Sequence, residues 1–117
     1  MTAVDPLNPA QVAYEIARLT ELLEETTYQY REDIREAAQE SAKFKGSYAR
    51  AMLVVIAGNR KLTVAEKEAL TEVEVNGDRI IAEVMEAKAK ATKASLDSLR
   101  VQIDALRSLG ANLRVQV

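Results

Sequence analysis

From Val12 to Val55, apolar or small side chains recur in steps of three and four: Val12, Ile16, Leu19, Leu23, Thr26, Tyr30, Ile34, Ala37, Ser41, Phe44, Tyr48, Met52 and Val55. That spacing is the period of one face of an α-helix. Asn8-Pro9 marks its start, with an N-cap residue followed by proline at the first helical position, where a missing N–H costs nothing. Residues 1–8 then read as a short leader. A helix over 9–57 would be roughly 70 Å long at ~1.5 Å per residue. A compact domain of this chain length is narrower than that, so the helix needs a partner along its length.

Gly58-Asn59-Arg60-Lys61-Leu62 is the strongest break, because Gly and Asn tolerate the left-handed conformation that ends helices. A turn is expected over 58–63, and Thr63-Val64-Ala65-Glu66 has the form of a capping box that restarts a helix. The second helical arm, 64–110, carries its apolar positions at Val64, Leu70, Val73, Ile80, Val84, Ala87, Ala91, Ala94, Leu99, Ile103 and Leu106. Gly110-Ala111-Asn112 offers a stop, and Asn76-Gly77-Asp78 marks a kink or short break, with Gly77 on the stripe itself. The Ala-rich stretch from Ala82 to Ala94 would let a neighbouring helix approach closely. These elements predict an all-α chain with one helical domain over 9–117. Its architecture is a long antiparallel helical hairpin, coiled-coil-like and assembling as a homo-oligomer.

Composition agrees, with one Phe, four Tyr and no Trp among the 117 residues, so the apolar share is aliphatic. The chain has no Cys and no His. That removes the thiolate and imidazole ligands on which zinc and the later transition metals rely, together with Ser-His and Cys-His nucleophiles. Adjacent carboxylates such as Glu24 and Glu25, or Glu32 and Asp33, diverge by about 100° on a helix and read as a solvated face. No Gly-rich phosphate loop is present. The expectation is no enzyme, no cofactor and no metal. No run approaches the ~20 apolar residues of a membrane span and no signal-peptide pattern opens the chain, so the expected location is cytoplasmic.

The formal charge of −2 conceals a segregation. Residues 1–40 are acidic, whereas Ser41 to Ala65 contain no Asp or Glu but hold Lys43, Lys45, Arg50, Arg60 and Lys61. Residues 66–86 are acidic again and 87–117 basic. Basic and acidic blocks can attract across a helical pair or between subunits. Alternatively the window is a polyanion site, with Phe44 and Tyr48 interleaved among its cations as rings for base stacking. Both roles are open for those rings, which also lie on the apolar stripe. Tyr14 and Tyr28 fall off the stripe and are expected to be exposed.

The order of features resembles the bacteriophage recombination mediators of the UvsY-like family. The likeness is carried by the long first helix, the basic stretch Lys43 to Lys61, the restart Lys61-Leu62-Thr63-Val64-Ala65-Glu66 and the ending Gln102-Ile103-Asp104-Ala105-Leu106-Arg107-Ser108-Leu109-Gly110-Ala111-Asn112-Leu113-Arg114. It implies a small helical protein in ring-like homo-oligomers that binds single-stranded DNA. Such a protein helps a recombinase displace single-strand-binding protein, in the host cytoplasm if phage-encoded. The family's DNA-contacting segment has a Lys-x-Arg-Leu-Asp character. Here Arg50-Ala51-Met52-Leu53-Val54 keeps only the first cation. The tail matches a region associated with assembly, which implicates Leu99, Ile103, Leu106, Leu109 and Leu113 in oligomerisation. The alternative is a helical oligomeric adaptor or structural protein that docks a protein partner and has no nucleic-acid role.

Overall fold

The computed structural model describes residues 8–58 and 61–116. They form three helices: α1 (Pro9–Gly58), α2 (Val64–Glu74) and α3 (Asn76–Gln116), with no strand among the described residues. Both helix starts follow from local chemistry. The Asn8 side-chain oxygen accepts from the Gln11 N–H at 2.8 Å and the Gln11 side chain accepts from the Asn8 N–H at 3.1 Å, ahead of Pro9. At α2 the Thr63 hydroxyl accepts from the Glu66 N–H at 3.2 Å while the Glu66 carboxylate accepts from the Thr63 N–H at 3.5 Å.

Buried and half-buried positions alternate in steps of four and three, broken only by the last step from Ala51 to Val55 on α1. Along α1 they include Val12, Ile16, Leu19, Leu23, Thr26, Tyr30, Asp33, Ala37, Glu40, Phe44, Ser47, Ala51 and Val55. Along the second arm they include Thr71, Val75, Asp78, Ala82, Met85, Ala89, Thr92, Leu96, Leu99, Ile103, Leu106, Gly110 and Leu113. A seven-residue repeat of this kind is the seam of a coiled-coil helix pair. Two expectations change as a result. The α1 stripe steps from Tyr30 to Asp33, so Asp33 is buried and Ile34 is exposed, the reverse of the solvated-face reading. In the second arm Val64, Leu70, Val73, Ile80, Val84, Ala87, Ala91 and Ala94 are exposed, and the inward face up to Leu96 is built from Thr71, Val75, Asp78, Ala82, Met85, Ala89 and Thr92.

Packing divides the chain into two compact units, Met1–Tyr30 with Ala91–Val117, and Arg31–Lys90. In the first, Leu19, Leu99 and Ile103 form a buried cluster with Leu23 and Leu106 packed against it. Each such aliphatic contributes about 1.5–3 kcal/mol when fully buried. Thr20 and Thr27, half-buried on the same helix, satisfy their hydroxyls on the carbonyls of Ile16 and Leu23, both at 2.7 Å. Gly110 does not end α3, which continues to Gln116. Its role is close packing: a Cβ placed on Gly110 would lie 3.2 Å from Cγ1 of the buried Val12.

In the second unit the α1 segment runs antiparallel to α2 and the start of α3. Met52 meets Thr71, Phe44 meets Arg79, and Asp33 with Glu36 meets Lys88. The break between α2 and α3 falls at Val75 (φ −104°, ψ 11°), and Asn76-Gly77-Asp78 opens α3. The N–H of Val75 still donates to the Thr71 carbonyl at 3.1 Å, and that of Arg79 to the Val75 carbonyl at 3.0 Å. These bonds carry the i to i−4 pattern across the interruption. Gly77 is exposed, off the inward seam.

Packing at Gly110 gives a stability prediction. Gly110→Leu should overfill the space beside Val12 and lower stability by about 1–3 kcal/mol. Gly77→Ala, where a Cβ meets nothing within 4 Å, should raise it by about 0.5–1 kcal/mol. Urea denaturation followed by circular dichroism distinguishes the two directions.

Candidate nucleic-acid interface

Lys43, Lys45 and Arg50 project from α1 and Lys61 from the turn before α2, and all four are exposed. Arg60 lies outside the described residues. At about 100° per residue, Lys43 and Arg50 are seven positions apart and point within about 20° of each other, whereas Lys45 points to the other side of the seam. The cations therefore flank the inward position of Phe44 and do not converge on one spot. None of the four makes an ion pair among the described residues. Most cations elsewhere do: Arg18, Arg35, Arg79, Lys88, Lys90, Arg100 and Arg107 each hold a carboxylate.

Free of acid in sequence, the window is not free of acid in space. A groove of about 390 Å³ is lined by Ser47, Arg50, Ala51 and Val54 of α1 and by Glu74 and Asp78 of the second arm. Arg50 thus shares a groove with two carboxylates, and its guanidinium lies 3.5 Å from the Ser47 hydroxyl. Lys43, Lys45 and Lys61 do not line that groove.

Phe44 and Tyr48 are half-buried and tilted against each other, with ring centroids 6.2 Å apart and planes at 59°. The Arg79 guanidinium sits over the Phe44 ring at 4.9 Å and also binds the Glu72 carboxylate. That face of Phe44 is already occupied by a cation–π contact within the chain, so base stacking is not open to it there. Tyr14 and Tyr28 are exposed as expected.

The residues assigned to oligomerisation divide. Leu99 and Ile103 are buried in the first unit's own cluster and Leu106 packs on it, so these three stabilise the chain's own fold. Leu113 is half-buried, and Leu109 is exposed.

The Asp33–Glu36–Lys88 group escaped the sequence reading. Asp33 is 1% exposed, and the Lys88 ammonium lies 3.6 Å from its carboxylate and 3.5 Å from that of Glu36. The signal was available in principle, since strict alternation after Thr26 and Tyr30 places position 33 inward. Glu36 first and Asp33 second raise the Lys88 ammonium above its ordinary value. At the surface, Arg18 holds the Glu15 carboxyl below its ordinary value, chiefly by its hydrogen bond.

No group of three or more potential metal ligands occurs among the described residues, and no described helix is long and apolar enough to cross a membrane. In comparisons with known proteins, the chain matches no family model, no curated protein and no solved structure.

Because the folded state holds Lys88 above the ordinary lysine value of about 10.5, the stability it adds is complete below that value. It is lost as pH rises through the raised folded value. The urea midpoint should therefore fall above about pH 10.5, and fall less in Lys88→Met. Lys88→Met alone should be destabilising, since it leaves Asp33 buried beside Glu36 with no ammonium. Asp33→Leu with Lys88→Met should recover the loss, because an apolar pair can replace a buried ion pair. Thermal melting of the unaltered chain and the two variants checks this.

Proposed function

We propose that the chain works by binding alone, as a self-associating helical protein that takes up single-stranded DNA and assists recombinase loading in the manner of phage recombination mediators. The observation that carries this reading is the set of exposed cations Lys43, Lys45, Arg50 and Lys61, which hold no carboxylate among the described residues, where most other cations do. Unpaired cations bind phosphate without first breaking an internal pair. The resemblance of the tail and of the Arg50 segment to UvsY-like mediators supplies the recombinase and single-strand-binding protein as partners. Arg60 joins the cation set by its place in the sequence. Lys43, Lys45 and Lys61 are the principal phosphate contacts, and Arg50 contributes less because Glu74 and Asp78 share its groove.

Contacts of this kind are salt-dependent and nearly indifferent to base sequence. Replacing Lys43, Lys45 and Lys61 together by Ala should weaken binding to a labelled single-stranded oligonucleotide about ten-fold at low salt. It should also flatten the slope of log K against log salt by about 2, at roughly 0.7 per lost phosphate contact. Fluorescence anisotropy measures both, with helix content as the control. Absence of binding by the unaltered chain at low salt would sink the proposal.

One observation favours the adaptor reading: the acidic second arm meets the basic window, with Glu74 and Asp78 in the groove beside Arg50. On that reading the charge blocks set helix register, and the triple Ala variant alters assembly with no oligonucleotide phenotype.

A further inference from the structure

Within the unit formed by Met1–Tyr30 and Ala91–Val117, α3 carries an exposed cation at every seventh residue: Lys93, Arg100, Arg107 and Arg114. At ~1.5 Å and about 100° per residue these four make a column about 30 Å long on one flank of the helix. Each directly follows an inward position, Thr92, Leu99, Leu106 or Leu113. On α1 the residues that directly follow inward positions border the same side, as a groove of about 290 Å³ lined by Ala13, Ile16, Arg107 and Arg114 shows. Those residues are Ala13, Thr20 and Thr27, and none is charged. The other flank of the helix pair differs, since there Lys88 meets Glu36 across the seam and Arg50 shares a groove with Glu74. The column is therefore not answered by the facing helix. Arg100 and Arg107 hold Asp97 and Asp104 at 3.5 and 3.7 Å, but these are exposed i,i+3 pairs of little worth. Both aspartates, and Glu24 on α1, point about 60° further out than this flank. Lys93 and Arg114 hold no carboxylate among the described residues.

We infer that this flank is a second track for single-stranded DNA, engaged through the phosphates. This deepens the DNA-binding reading and rests on it for the class of polyanion. Three of the four cations are Arg, whose planar fork meets a phosphate with two parallel donors. Pro9, Val12, Ala13 and Ile16 form an aliphatic wall beside Arg107 and Arg114, and a low-dielectric wall focuses the field of cations set along it. A docking helix fits less well, because it needs apolar anchors every three or four residues. The large exposed aliphatics of this unit lie elsewhere. Leu22 and Leu109 are on the other flank, and Val101 and Val115 point about 100° away from Arg100 and Arg114. Thr20 and Thr27 spend their hydroxyl hydrogens on carbonyls of their own helix, so they offer a base no donor. No aromatic ring lines the groove at Arg107 and Arg114. The contact is thus to the backbone of the strand and indifferent to its bases.

Anisotropy of labelled oligothymidylate on the full chain at low salt tests the track. Arg100→Ala, Arg107→Ala and Arg114→Ala together should weaken binding at least ten-fold. They should also flatten the slope of log K against log salt by about 2, at roughly 0.7 per lost phosphate contact. Arg18→Ala, Arg31→Ala and Arg35→Ala remove the same charge and the same kind of surface pair from α1, and should weaken binding less than two-fold. Ala13→Glu with Thr20→Glu sets carboxylates opposite Arg107 and Arg100, and should match the first variant with helix content retained. Equal weakening by the two arginine variants, or unchanged affinity in the first, would overturn the inference. So would tighter binding of labelled poly-L-glutamate than of the strand, which assigns the flank to an acidic protein. Loss confined to the Lys43, Lys45 and Lys61 variant defeats only this track. Loss confined to the Arg100, Arg107 and Arg114 variant defeats only the lysine site, and no binding by the unaltered chain defeats both.

Discussion

A carboxylate in a helical seam is admissible only if something answers its charge. Asp33 is shut away from solvent, and Lys88 reaches it from the facing helix with Glu36 alongside. Burying an unpaired charge costs several kcal/mol, so the arrangement tolerates little sliding. Seven residues before Lys88 stands Ile81 and seven after it Ser95, neither of which carries a positive charge. A slip of α3 by one repeat would leave Asp33 without an ammonium. The seam around it consists of Ala, Thr and Ser as much as of large aliphatics, and such residues specify alignment weakly. The ionic group supplies that specification, as polar seam residues do in other coiled coils.

Helix starts and the first third of the seam were legible, because they rest on local chemistry. Asn8-Pro9 and Thr63 to Glu66 cap as their side chains require, and Val12 through Tyr30 turn inward as spaced. The reading failed where the largest aliphatics are not the buried ones. Ile34 beside Asp33, and Leu70, Val73, Ile80 and Val84 beside Thr71, Val75, Asp78 and Ala82, draw a pattern search onto the wrong face, since burial normally follows hydrophobicity. Only the facing helix decides which of two adjacent stripes is inside. Gly110 misled for a related reason. A glycine near the end of a helical run resembles a stop, but here it makes room for Val12, a residue far away in sequence.

The candidate site was legible as a list of cations and less so as a surface. Composition along the chain identifies Lys43, Lys45, Arg50 and Lys61, and all four are exposed. What linear inspection could not supply is their neighbourhood. Helical geometry sends Lys45 away from Lys43 and Arg50, and folding brings Glu74 and Asp78 to Arg50 and Arg79 to Phe44. Charge segregation along this sequence therefore serves two ends, neutralising part of itself within the Arg31–Lys90 unit and leaving the lysines outside.

The hairpin connectivity also orders the route by which the chain can fold. Thr71 and Met52 are separated by 19 residues, and Lys88 and Glu36 by 52. The entropic cost of closing a loop rises with the logarithm of its length. Contacts nearest the turn are thus the cheapest to make, and each one shortens the effective loop for the next. The unit that joins the two ends of the chain has no local contacts between its halves to begin from. Its Leu19, Leu99 and Ile103 cluster therefore closes the sequence of events and does not start it.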